Sequence, residues 1–175
     1  MTDALLRYDA VARSLHWTIG ALIIVNLILG IGHDPLGEIL PAMPIHKAIG
    51  MTVLALSLVR LGWRLTHPAP PFPAHMPSWE KAAAQGMHWA FYGLMIALPM
   101  TGWLFSSAGK YPISWFGLFD IPKLAVEKGS ALASVTNEAH EILGYAWVAL
   151  LLIHVGAALR HHFVVKDGMM ARMWG

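Results

Sequence analysis

NEAHEILGYAWVALLLIHVGAALRHH, residues 137–162, is the stretch that decides how this chain is organised. Between Glu141 and Arg160 it holds no charged residue, so it is long and apolar enough to cross a bilayer as one helix. It carries His140 near its start and His154 fourteen residues later. Fourteen residues are just under four helical turns, which places both imidazoles on one face with a rise of about 21 Å between them. Two imidazoles on one face, one near each membrane surface, predict ligands for two stacked cofactors.

The composition of the whole chain is typical of a membrane protein. Of 175 residues, 57% are hydrophobic and 13% are charged, whereas a soluble domain has about 25% charged residues. The chain has no cysteine, which removes disulfides, iron–sulfur clusters and covalently attached c-type haem from consideration. The candidate metal ligands that remain are ten histidines and ten methionines. No nucleic-acid partner is predicted.

Four hydrophobic segments predict an all-α membrane protein that crosses the bilayer four times. The segments are residues 14–32, 45–65, 82–106 and 140–162. Short connections between them predict an up-down bundle that forms one domain over residues 1–175. Residues 107–134 are aromatic and apolar but too short to span, so they predict an interfacial segment with Trp115 and Phe116 at the level of the lipid headgroups.

The lysines and arginines predict the orientation of the bundle. Both termini and the connection between the second and third segments share one side, which carries eight of these residues. The opposite side carries four. Because basic residues accumulate on the cytoplasmic side, both termini of this multi-pass protein are expected in the cytoplasm.

Depth in the membrane sorts the histidines of the four segments into two groups. His46 and His140 lie near the outer surface, and His16, His88 and His154 lie near the inner surface. The two axial imidazoles of a haem lie at one level, so the outer pair is His46 with His140. At the inner level, His154 pairs with either His16 or His88.

A glycine spacing separates the two inner candidates. Within the predicted spans, three histidines are followed four residues later by a glycine: His16 by Gly20, His46 by Gly50 and His140 by Gly144. A residue four positions on lies on the same helix face, where glycine leaves room for a flat porphyrin. His88 has Tyr92 at that position, which would obstruct the ring, so His16 is the predicted partner of His154. Taken singly, each pair has an ordinary explanation, namely a hydrogen-bonded histidine and a glycine that lets helices pack closely.

Two level-matched imidazole pairs favour two b haems over zinc, because structural zinc sites are usually tetrahedral. The expected architecture is therefore a four-transmembrane-helix up-down bundle that encloses two b haems. With ligands about 21 Å apart along one helix, electrons can pass from one haem to the other across the membrane. The predicted helices show no line of acidic residues, which favours electron conduction over proton pumping.

Other polar residues are candidates for secondary roles. Arg13 and Arg60 are candidates to pair with haem propionates on the inner side, the alternative being interfacial anchoring. Trp147 lies midway between the two histidines of the fourth segment and is either a core residue or a side chain between the haems. His161 continues the same face and is a candidate to hydrogen-bond a quinone carbonyl, the alternative being a solvated tail histidine.

The sequence resembles the bacterial cytochrome b561 family along nearly its whole length. The matching stretches are RSLHW at 13–17, PIHKAIG at 44–50, VRLGWRLTHPAPP at 59–71, HWAFYGLMIALPMTGW at 88–103 and HEILGYAWVALLLIHVGAALRHHF at 140–163. The resemblance implies a di-haem b-type cytochrome of the bacterial inner membrane. Related membrane subunits of formate dehydrogenases and nickel–iron hydrogenases share the four-histidine plan, which carries over as His16 with His154 and His46 with His140.

The same resemblance implies a function in quinone-linked electron transfer. Its expected partners are ubiquinone and a periplasmic one-electron donor, which for some family members is superoxide, so a superoxide oxidase-like oxidoreductase is expected. Two alternatives stay open. A haem-bearing membrane anchor of a soluble dehydrogenase or hydrogenase would copurify with a larger partner, and a haem-free scaffold would be colourless.

Overall fold

Four long helices form the body of the computed structural model, which describes residues 7–174. The helices in chain order are α1 (Ala10–Ile31), α2 (His33–Gly37), α3 (Ala42–Thr66), α4 (Ser78–Ser107), α5 (Ala131–Arg160) and α6 (Ala171–Trp174). Helices α1, α3, α4 and α5 are long and apolar enough to cross a membrane. The prediction of an all-α bundle of four membrane helices is therefore confirmed, while residues 1–6 and 175 of the predicted domain lie outside the described residues.

The long helices extend past the predicted spans because capping residues, and not hydrophobicity, determine where a helix begins. Asp9 accepts a hydrogen bond from the backbone N–H of Ala12 at 2.9 Å, and this bond lowers the pKa of the Asp9 carboxyl. Ser130 accepts in the same way from Ala133 at 3.3 Å, so α5 begins well before the predicted span. Helices α3 and α4 begin directly after Pro41 and Pro77, which occupy the N-cap positions.

The helices pack in sequence order: α1 against α3, α3 against α4, and α4 against α5. A small core lies between them and includes Ile19, Met95 and Trp147, which are 1%, 3% and 3% exposed. Many large apolar side chains instead face outwards, such as Ile28 and Leu152. An outer surface of this kind fits contact with lipid tails, which agrees with a multi-pass membrane protein.

A β-hairpin occupies part of the segment between α4 and α5, where the sequence predicted no strand. Strand β1 (Ile113–Trp115) pairs antiparallel with β2 (Phe119–Ile121). Phe116 and Gly117 both have positive φ, 51° and 77°, as a type I′ hairpin turn requires. Ile113 is buried, and the indole N–H of Trp115 donates to the Thr52 hydroxyl of α3 at 3.0 Å. Three-residue strands are too short to show a period of two, which is why the pattern missed them.

The chain folds back on itself at the opposite end of the bundle. Helix α5 continues as one π-helical turn, His161–Val165, and ends at Lys166, whose φ of 55° is left-handed. The indole N–H of Trp17 then donates to the carbonyl of Met173 at 2.8 Å, and Arg172 donates to the carbonyl of Pro71 at 2.7 Å. These contacts join α6, the start of α1 and the proline-rich connection between α3 and α4.

Candidate haem sites

Helices α3 and α5 bring the predicted outer pair together. The ring centroids of His46 and His140 lie 6.0 Å apart with the ring planes at 89°. A metal–imidazole bond of about 2.0–2.1 Å and a ring radius of about 1.1 Å would separate two axial imidazole centroids by about 6.3 Å. The observed separation therefore fits one iron between the two rings.

Hydrogen bonds determine which nitrogen of each outer histidine is free. His46 donates from Nδ1 to the carbonyl of Asn26 on α1 at 3.0 Å. His140 donates from Nδ1 to the carbonyl of Leu98 on α4 at 2.9 Å. A carbonyl can only accept, so both neutral rings carry their proton on Nδ1 and keep the Nε2 lone pair for a metal. This is the arrangement in which histidine ligands of metals are usually held.

A cavity of about 500 Å³ lies at the outer pair, within the size range of cofactor sites. The two outer histidines line it together with Gly50, Gly144 and Trp147. A Cβ atom built on Gly144 would meet no atom within 4 Å, and one on Gly50 would approach only the Asn26 side chain, at 3.6 Å. Both glycines singled out in the sequence thus border open space. The residues present fit a haem at this level.

At the inner level the structure brings three histidines together. His154 of α5 lies 6.3 Å from His16 of α1 and 6.0 Å from His88 of α4, measured between ring centroids. Both separations fit an iron between two rings. A Cβ on Gly20 would meet nothing within 4 Å, as the prediction of open space beside His16 requires. The choice between His16 and His88 is therefore left open by these distances.

Arg60 of α3 lies against the inner histidines. Its guanidinium lies 3.1 Å from Nδ1 of His16 and 5.7 Å from the ring centroid of Tyr92. Since guanidinium can only donate, Nδ1 of His16 accepts in this arrangement and its proton lies on Nε2. Binding of iron through Nε2 requires the other tautomer, and so requires Arg60 to turn away from His16. The other predicted propionate partner, Arg13, is half-buried on α1.

His161 lies in a polar cluster with Asp167, and 14% of its side chain is exposed. Its Nδ1 lies 2.6 Å from Oδ2 of Asp167, whose side chain is 3% exposed. The backbone N–H of Met169 donates to the other carboxylate oxygen at 3.0 Å. Burial alone would raise the pKa of Asp167, but these hydrogen bonds outweigh it and the pKa lies below its usual 3.8. His75, which is largely exposed, lies 3.8 Å from the same carboxylate.

Sequence reasoning missed Asp167 and His33. Asp167 follows the left-handed Lys166, so no helical spacing relates it to His161. His33 lies just beyond the first predicted span, in the short helix α2, and lines the outer cavity. Among residues 7–174, no cluster of three or more His, Asp or Glu side chains has the arrangement of a metal site. The imidazoles form one pair at the outer level and a group of three around His154 at the inner level, a donor set that fits ligation of haem iron by two histidines.

Comparison with known proteins gives matches along nearly the whole chain. The family model described as prokaryotic cytochrome b561 matches residues 7–175. Cytochrome b561 homolog 2 of Escherichia coli (strain K12) is 34% identical over 97% of this chain and 92% of its own length. The probable superoxide oxidase CybB of Yersinia pestis is 30% identical over 95% of each chain. Cytochrome b562 of Cereibacter sphaeroides is 28% identical over 95% of this chain and 94% of its own.

Proposed function

Since the chain belongs to the prokaryotic cytochrome b561 family and is a membrane electron-transfer protein that carries haem b, we propose that it holds two haems and passes electrons across the bacterial inner membrane to ubiquinone. The proposed donor is a one-electron reductant on the outer side. Superoxide is the candidate that we favour, because one relative is named a probable superoxide oxidase. Haem b supplies a reversible one-electron iron couple.

One observation carries this proposal: α5 contributes an imidazole to each of two levels. His140 faces His46, and His154 faces His16 and His88, with every centroid separation near 6 Å. The two levels are fourteen residues apart on one helix, which corresponds to about 21 Å along its axis. Two levels of histidines at this spacing support two redox centres in series across the bilayer. We assign His16 with His154 and His46 with His140 as the axial pairs.

The outer cavity offers a place where a small anionic donor can approach the outer pair. Lys47 follows His46 directly and lines the cavity with His33, while Glu141 is the carboxylate on its lining. A lysine beside the ligand raises the local concentration of small anions such as superoxide. In the proposed reaction two superoxide anions each give up one electron and leave as dioxygen. Ubiquinone takes up the two electrons, together with two protons from the inner side, and becomes ubiquinol.

The inner end of α5 supplies groups suited to a quinone. The carboxylate of Asp167 holds His161 at Nδ1, so Nε2 is the nitrogen available to a quinone carbonyl. An imidazole held in this way can pass a proton to a bound substrate, and reduction of a quinone to a quinol requires two protons. The exposed His75 near the same carboxylate offers a link to inner water. We propose that the quinone binds here, with both termini of the chain on the cytoplasmic side.

The test is an optical spectrum of the purified protein with the haem content measured per chain. Reduced-minus-oxidised spectra are recorded for four proteins: wild type, His46→Ala, His140→Ala and the exposed control His162→Ala. The expected result is two b haems in wild type and in the control, and one in each outer variant. A superoxide-generating system with a soluble ubiquinone analogue then tests turnover in the same samples.

Each outcome of this experiment decides a different part of the proposal. A wild type without haem would overturn it, and an unchanged haem content in His140→Ala would overturn the outer pairing. Two haems without superoxide-driven quinone reduction would remove superoxide as the donor. Copurification of a large soluble redox partner in that case would favour a membrane anchor subunit of a dehydrogenase or hydrogenase.

A further inference from the structure

Each outer histidine donates a hydrogen bond to a backbone carbonyl of a neighbouring helix, and the local pattern is the same in both cases. His46 donates from Nδ1 to the carbonyl of Asn26 on α1, and Gly30 follows that carbonyl by four residues. His140 donates from Nδ1 to the carbonyl of Leu98 on α4, and Gly102 follows that one by four. In a helix the N–H of residue i+4 bonds to the carbonyl of residue i, so each glycine lies beside the carbonyl that its histidine uses.

Both glycines touch the imidazole that they accompany. A Cβ built on Gly30 would lie 2.7 Å from Cε1 and 3.0 Å from Nδ1 of His46. A Cβ built on Gly102 would lie 2.9 Å from Cε1 and 3.1 Å from Nδ1 of His140. Carbon atoms at van der Waals contact are about 3.5–4.0 Å apart, so alanine at either position would push the ring off its carbonyl. The same two ring atoms are closest in both cases.

We propose that Gly30 and Gly102 are positioning residues for the outer haem ligands. Each leaves the space in which an imidazole from another helix places its Nδ1–H on a main-chain carbonyl, and so presents Nε2 to iron. This inference rests on the proposed function, because it takes His46 and His140 as axial ligands. All four glycines line the outer cavity. Gly50 and Gly144 lie on the ligands' own helices beside open space, whereas Gly30 and Gly102 lie on neighbouring helices against the imidazoles.

The hydrogen bond to the carbonyl does more than orient the ring. It selects the Nδ1–H tautomer, and it raises the basicity of Nε2 because the carbonyl draws the shared proton towards itself. Loss of such a supporting contact typically weakens metal binding by about 10–100-fold. A tilted or less basic imidazole also changes the ligand field of low-spin iron, which can be measured without any turnover assay.

The chain offers matched controls for this test. Cβ atoms built on Gly62 of α3 and Gly93 of α4 would meet no atom within 4 Å. Alanine is the better helix former, so Gly62→Ala and Gly93→Ala are expected to fold at least as well as wild type. They introduce the same methyl group into membrane helices without touching an outer histidine.

The experiment compares Gly30→Ala, Gly102→Ala and the two controls with wild type. Haem per chain, the electron paramagnetic resonance spectrum of the oxidised protein and the midpoint potentials are measured on purified samples. In both test variants we expect the low-spin signal of the outer haem to shift or vanish. We also expect the protein to bind that haem about 10–100-fold more weakly. The other haem and both controls should match wild type. Test variants with two unaltered signals and unaltered potentials would overturn the proposal.

A second measurement needs no variant and covers the case in which alanine prevents folding. Redox-difference infrared spectra of wild type carrying ¹⁵N-labelled histidine report whether the ligand Nδ1–H groups are hydrogen-bonded. Bands of strongly bonded Nδ1–H are expected, and bands of free Nδ1–H alone would overturn the proposal. A wild type with fewer than two haems would instead contradict the proposed function, so the two failures are distinguishable.

Discussion

Oδ2 of Asp167 lies 2.6 Å from Nδ1 of His161, and the carboxylate side chain is 3% exposed. The contact joins the π-helical turn after α5 to the segment that leads into α6. It places an ionised, buried partner behind a histidine on the face that carries the inner ligand candidate His154. The region after α5 is therefore a candidate site of proton transfer.

Replacing Asp167 by asparagine should slow quinone reduction and leave haem content unchanged. The carboxylate holds Nδ1 of His161 and so orients the imidazole that would pass a proton to the quinone, and its loss should lower the rate by at least about tenfold. The measurement is the steady-state rate of reduction of a soluble ubiquinone analogue, beside haem per chain. Asp120→Asn, an exposed aspartate of β2, serves as the control. A wild-type rate in Asp167→Asn would contradict the role of this pair.

The loss of stability in Asp167→Asn should depend on pH. Because the pKa of Asp167 is lowered below 3.8 in the folded protein, its carboxylate stabilises the fold fully above that value. The stabilisation is lost as the pH falls through the lowered pKa. A hydrogen bond to a charged group contributes about 2 kcal/mol, which corresponds to a fall in Tm of about 4–8 °C in Asp167→Asn.

Thermal unfolding of both proteins across a pH series checks this expectation. The difference in Tm should be present at neutral pH and should shrink below about pH 4. A difference that grows as the pH falls below about 4 would mean that the carboxylate is not the stabilising group.

The two inner ligand candidates can be separated by deletion. His16→Ala should lose the inner haem, whereas His88→Ala should keep it, because the open space beside Gly20 lies on the face of His16. Haem per chain, measured on both variants and on His154→Ala, decides between them. The opposite result would make His88 the ligand. It would also explain why Arg60 lies against Nδ1 of His16 in this structure.

Arg60 should raise the midpoint potential of the inner haem, since a nearby cation favours the reduced, less positive iron. For a separation of about 8 Å and an effective dielectric constant of about 20, a unit charge contributes about 2 kcal/mol, or about 90 mV for one electron. Potentiometric titration of Arg60→Gln should therefore show a fall of about 50–100 mV in one haem. Arg60→Lys keeps the charge, so the midpoint potential of that haem should fall less in this variant. Equal potentials in all three proteins would mean that Arg60 lies too far from the iron.

Local periodicity predicted much of this molecule. Helix geometry alone relates His140 to His154, and hydrophobic length alone identifies four membrane helices. These features depend on residues within one helix, so the sequence alone predicts them. The proximity of His46 to His140 also follows, because depth in the bilayer leaves one partner for His46 among the histidines of the predicted spans.

Contacts between helices required the tertiary structure. The distances from His154 to His16 and His88 differ by only 0.3 Å, so depth could not choose between these two partners. The carbonyls of Asn26 and Leu98, and the glycines that lie beside them, belong to helices other than those of the histidines they serve. Their roles depend on which helix faces move together during packing. Sequence spacing specifies the direction of a side chain around its own helix, whereas only packing determines the neighbour that it meets.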